Sequence, residues 1–110
     1  MRKYYSYGRS RTDFHNLAGW LDKREPFKNS TGSLSGTTKV LAGWASMGHL
    51  PDEWSRTFQA RSFLIDYVIY SYGTPIAWHD KEAGWVEPDV KYSPTTSQHQ
   101  GSVRTAISVL

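Results

Sequence analysis

The sequence predicts an α+β fold: a small antiparallel sheet of three to four strands, with two to three helices packed on one face of it. Three observations predict it. A β-branched and aromatic run from Leu64 to Tyr72 is followed by two shorter strand-like runs at hairpin spacing. Apolar residues recur at helical spacing near both ends of the chain. Helix-start signals stand at Pro51 and at Ser93-Pro94-Thr95-Thr96.

Each element can be justified in order. Residues 1–11 hold Arg2, Lys3, Arg9 and Arg11, no acidic residue, and Tyr4, Tyr5 and Tyr7 between them. They read as a basic, aromatic arm. A first helix follows, capped by Ser10 or Thr12, with Phe14, Leu17, Ala18 and Leu21 on one face. It stops before Pro26, because proline pushes its predecessor out of the α region. Residues 27–39 are rich in Ser, Thr and Gly and read as a structured loop pinned by Phe27 and Leu34. Pro51, Asp52 and Glu53 open a second helix whose buried stripe is Trp54 and Phe58.

Leu64 to Tyr72 is the strongest strand. Tyr67, Ile69 and Ser71 share one face and Val68, Tyr70 and Tyr72 the other. Gly73-Thr74-Pro75 bends the chain and Ile76 to His79 resumes it. Asp80 to Gly84 forms a hairpin loop, and Trp85 to Glu87 returns as an edge, since Pro88 excludes a central ladder position. Val90 to Tyr92 offers a last short strand. The third helix then carries His99, Val103, Ala106 or Ile107, and Leu110 on one face.

The 110 residues make a single domain, 1–110. The chain lacks cysteine, which excludes disulfides, thiol catalysis and thiolate metal sites and suits a reducing cytoplasm. There is no run of about 18 apolar residues, so no transmembrane helix and no membrane partner are expected. The N-terminal stretch lacks an apolar core and is not expected to act as a secretory signal. A formal charge of +3 and a pI near 9.3 permit a nucleic-acid partner without demanding one.

Beyond composition, the run Tyr67-x-x-Tyr70-Ser71-Tyr72-x-Thr74-Pro75-Ile76-Ala77-Trp78 stands out. It continues as Trp85, then Pro88-x-Val90-x-Tyr92-Ser93-x-Thr95-Thr96-Ser97-x-His99-Gln100. With Pro26-Phe27, Ser33-Leu34-Ser35-Gly36 and Leu50-Pro51 upstream, it resembles a family of small uncharacterised proteins of actinobacteria and their phages. The likeness spans Pro26 to Gln100 and leaves the arm and first helix outside. Pro94 and Gln98 depart from it, standing where an apolar residue and an arginine are expected. The resemblance implies a phage-type accessory protein in the host bacterial cytoplasm and no established activity.

Four features could carry function. Thr95, Thr96, Ser97, His99 and Gln100 form a hydroxyl-rich turn at a helix start, either an anion or ligand cradle or a helix cap. Arg2, Lys3, Tyr4, Tyr5, Tyr7, Arg9 and Arg11 could neutralise phosphates and stack on unpaired bases, or form a solvated terminus. Trp20, Trp44 and Trp85 could anchor a protein interface. His79-Asp80 has the residue types of a metal pair, but turn chemistry accounts for it, and no metal, cofactor or catalytic residue is expected. Asp66, Asp80, Glu82, Glu87 and Asp89 would have to converge for a metal-dependent hydrolase. The expected function is therefore non-enzymatic binding of nucleic acid or of a nucleic-acid-handling complex. The alternatives are an inhibitor of a host defence or transcription protein, a structural virion protein or homo-oligomer, and a small metal-dependent hydrolase.

Overall fold

A computed structural model describes residues 11–29, 31–41, 43 and 46–110, with side chains from residue 17 onward. The arm from Arg2 to Arg9, the Ser10 cap, the Arg11 side chain and Trp44 lie outside the described residues. The chain runs α1 (Arg11–Lys23), β1 (Phe27–Lys28), β2 (Leu34–Thr37), α2 (Asp52–Ala60), β3 (Ile65–Ser71), β4 (Thr74–Asp80), β5 (Gly84–Val86) and α3 (Pro94–Ser108). A 3-10 turn, Ser62–Leu64, joins α2 to β3. All strand pairs are antiparallel, in the order β1-β2-β3-β4-β5. No described helix is long and apolar enough to cross a membrane.

The sheet has five strands rather than three or four. The two extra strands come from the stretch read as a pinned loop. Phe27 and Leu34 are indeed fully buried, and each begins a strand. The sequence Leu34-Ser35-Gly36-Thr37 carries little β propensity of its own. It is a strand because it pairs with Val68 to Ser71 of β3. Gly36 is required there: a Cβ would collide with the Tyr67 hydroxyl and the Phe27 ring. The expected strand at Val90 to Tyr92 is irregular instead, and Gln100 Nε2 donates to the Val90 carbonyl at 3.0 Å.

Helices cover both faces of the sheet, not one. Leu17, Ala18 and Leu21 of α1 and Val103 and Ala106 of α3 share a core with Tyr67, Ile69, Ile76 and Ala77. Phe58 of α2 joins Met47, Leu50, Ile65, Val68 and Trp78 in a second core. The alternation of β3 explains the division, because Val68 pairs with Trp78 and Ile69 with Ala77. Trp78 receives Phe58 edge-on at 5.0 Å and Trp54 at 6.2 Å, so the Trp54 and Phe58 stripe is the one α2 buries. Pro51 occupies the N-cap position of α2.

The expected bend at Gly73 to Pro75 is a tight hairpin placed slightly earlier. Tyr72 and Gly73 have φ of 50° and 80°, the left-handed pair that suits the right-handed twist of adjoining strands. Thr74 and Pro75 already belong to β4. Proline is tolerated because β5 reaches only Trp78, His79 and Asp80, leaving Pro75 on an edge.

Gly36→Ala should lower the stability to urea by about 1–3 kcal/mol, as over-packing of a filled core does. Ser35→Ala, one residue away, should leave the unfolding midpoint close to wild type.

Candidate functional site

The hydroxyl-rich turn is built into α3. Ser93 caps the helix, accepting from the Thr96 N–H at 3.4 Å, with Pro94 in the first turn. This explains why proline stands at position 94. Thr96 is buried and accepts a hydrogen bond from Ser71 Oγ at 3.1 Å. Ser71 Oγ, on a residue only 1 % exposed, also lies 2.7 Å from His99 Nδ1. A serine hydroxyl has one proton. With that proton given to Thr96, Nδ1 of His99 donates to Ser71. Gln100 is engaged by Val90, while Thr95 and Ser97 are exposed. The turn therefore combines a cap with a partly solvated rim.

Tertiary structure brings further groups to this end of the sheet. Tyr72, next to Ser71, is exposed and its ring stacks on His99 at 5.9 Å and 29°. The Tyr72 N–H donates to the Ser33 carbonyl at 2.8 Å, which docks the β1–β2 loop. That loop is organised by Asn29, whose Oδ1 accepts from the Leu34 N–H at 3.1 Å and whose Nδ2 donates to Ser33 Oγ at 2.9 Å. The His49 N–H donates to Thr74 Oγ1 at 2.9 Å. Gly48, at φ 54°, lies so close to Gly73 and Thr74 that a Cβ would clash with both. Asn29, Thr31, Ser33, the His49 backbone, Tyr72, Thr95 and His99 thus come from four segments that approach one hairpin tip. The sequence carries no signal for this meeting beyond the Thr95–Gln100 turn, because strand register decides it.

The opposite end of the sheet is ionic. Asp80 is 1 % exposed and accepts from Arg61 Nε at 2.5 Å and Nη2 at 3.1 Å. It also accepts from the Glu82 and Ala83 N–H groups at 2.8 and 2.9 Å, closing the β4–β5 loop. Arg61 reaches Glu82 Oε1 as well, at 3.1 Å. The Arg61 guanidinium, aided by the Ala83 N–H, holds the Asp80 carboxyl well below the usual carboxylate range. Its neighbour His79 faces the other way. Nε2 lies 2.7 Å from Arg24 Nη2, and a guanidinium can only donate. Nδ1 therefore carries the proton and donates to Asp66 Oδ1 at 2.8 Å. His79 and Asp80 consequently share no ligand position. No group of three or more metal-ligating side chains occurs among the described residues.

Arg24 closes α1. It adopts φ 55°, donates to the Leu21 and Asp22 carbonyls at 2.6 and 2.9 Å, and lies 5.0 Å above the Trp85 ring. Trp85 also meets Tyr67 and His79 edge-on, and Trp20 stacks on Phe27 at 5.4 Å. Trp20 and Trp85 are thus half-buried against the core. The large apolar side chains that face solvent include Phe63 and Tyr72, at 76 % and 60 % exposed.

Residues 4–106 match the model of DUF8033, a family of unknown function. The chain belongs to this family. No curated protein and no solved structure matches it. The DUF8033 match runs through α1 and most of the basic stretch, beyond the Pro26–Gln100 span that carried the resemblance. The arm from Tyr4 onward is accordingly part of the unit that the DUF8033 model describes.

Asp80 titrates lower in the folded chain than in the unfolded one, so its contribution to stability is present above about pH 4 and lost as pH falls below that. Asp80→Asn should lower the urea midpoint at pH 7. The gap between variant and wild type should narrow on acidification from pH 5 to pH 2.5, while Glu82→Gln, at the exposed branch, should change the midpoint much less.

Proposed function

We propose that this DUF8033 protein is a non-enzymatic nucleic-acid-binding protein, acting alone or on a nucleic-acid-handling complex. The observation that carries this reading is the convergence around the β3–β4 tip. An exposed tyrosine, the His99 imidazole and the hydroxyl-bearing Ser33 loop meet there, in a chain of net charge +3. Hydroxyl, amide and imidazole groups are the neutral partners with which proteins contact phosphates and sugars, and tyrosine stacks on bases. The basic, aromatic stretch from Tyr4 to Arg11 falls within the family match and would supply the long-range attraction.

Non-enzymatic action is supported by how the reactive side chains are used. His79 and Asp80 are held by Asp66, Arg24 and Arg61, and Ser71 is buried beneath the turn. The resemblance of the Tyr67–Gln100 pattern to small proteins of actinobacteria and their phages is what supports a phage-type accessory role in the host bacterial cytoplasm.

Mixed-sequence DNA and RNA should bind at low salt, with affinity falling steeply and log-linearly as salt rises. Absent or salt-indifferent binding would rule the reading out. A nuclease-resistant, stoichiometric complex with a host protein, abolished by Phe63→Ala, would favour the protein-directed alternative. Phe63 is its natural anchor because it is the most exposed large apolar side chain among the described residues.

A further inference from the structure

We propose that Tyr72, backed by His99, is a preorganised stacking platform for an unpaired nucleobase, so that the nucleic acid recognised is single-stranded. This rests on the nucleic-acid reading above and narrows it to a ligand class.

The first ground is the backbone. Tyr72 sits at φ 50°, where L side chains are disfavoured and a hairpin of this kind normally carries Asn, Asp or Gly. Tyrosine at this position gains little from burial, since it is 60 % exposed. Neither turn chemistry nor core packing therefore accounts for an aromatic ring at the tip. Strained, exposed side chains of this sort are a mark of functional sites.

The second ground is the support beneath the ring. Tyr72 lies nearly parallel to the His99 imidazole, at 5.9 Å and 29°. His99 is in turn oriented by Ser71 Oγ at 2.7 Å, and Ser71 is locked by burial and by its bond to Thr96. One side of the tyrosine ring is therefore braced by the imidazole in an offset, inclined contact, and the ring keeps most of its surface in solvent for a ligand. The platform is held before binding, so little side-chain freedom is lost when a ring docks.

The third ground is the rim. Thr95 is exposed on α3 one turn before His99 and on the same helix face, and the Ser33 loop is docked on the Tyr72 backbone. These are short polar groups suited to a sugar-phosphate backbone passing an inserted base. A base inside a duplex has both faces occupied by its neighbours. Only an unpaired base can offer a face to Tyr72, which is why the geometry selects single strands.

The test uses the full chain and fluorescence anisotropy at fixed low salt with three probes. They are a mixed-sequence single strand, the same sequence as a duplex closed at both ends by non-nucleotide linkers, and an abasic strand of equal charge. The single strand should bind at least about tenfold tighter than the other two. Tyr72→Asn suits the left-handed turn and should fold with unchanged or raised thermal stability. It should nonetheless lose on the order of 10- to 100-fold in single-strand affinity, while Tyr72→Trp retains it. Equal binding of the duplex or abasic probe, or undiminished binding by Tyr72→Asn, overturns the platform and leaves the nucleic-acid reading intact. Failure of all three probes to bind at any salt overturns both.

Discussion

The pairing of β3 with β4 is the interaction on which the rest of the molecule depends. Its register puts Val68 opposite Trp78 and Ile69 opposite Ala77, so each face of the hairpin carries apolar pairs that must be covered. One face takes α1 and α3, and the other takes α2 with Met47 and Leu50. β2 is a strand only because β3 offers it an edge. The same hairpin also defines two ends, and every polar cluster described above belongs to one of them.

Those ends are closed by different chemistry. At the open end of the hairpin, Asp80 and His79 leave β4 on opposite faces, and each finds an arginine. Asp80 is removed from water, and such a carboxylate is tolerated only with its lone pairs filled. Arg61 and two backbone N–H groups fill them, tying the end of α2 to the β4–β5 loop. At the tip the linkers are neutral: Ser71 to Thr96, Ser71 to His99, and backbone to Ser33 and Thr74. Neutral links need no compensating charge. The tip is thus free to present an aromatic ring and polar rim to solvent, whereas the ionic end is used in holding the fold together.

Much of this was legible in the linear chain. All three helices, the β3 faces from Tyr67 to Ser71 and the core role of Phe27, Leu34 and Phe58 follow from local signals: spacing, caps, and proline that cannot continue a helix; Tyr72, expected on the Val68 face, instead lies in the left-handed turn with its ring against His99 of α3. The Thr95–Gln100 turn was legible as a helix start for the same reason. Strands β1 and β2 were not, since Phe27-Lys28 and Leu34-Ser35-Gly36-Thr37 have no period of their own. Nor was the placement of α2 on the opposite face from α1 and α3. An amphipathic helix declares that one side is buried, but not against what.

What the sequence by itself determined is local and compositional: α+β elements, no disulfide, and a basic, aromatic composition. What only the tertiary structure decided is which of those residues meet. Tyr72 and His99 are 27 positions apart, Ser33 and His49 further still from α3, and nothing in their spacing links them. Register brings them to one tip, because pairing Leu34 with Ser71 and Ser71 with Thr74 leaves three chain turns at the same edge. Long-range pairing of this kind is selected by the burial of both faces at once. That is a property of the whole core, and no single segment encodes it.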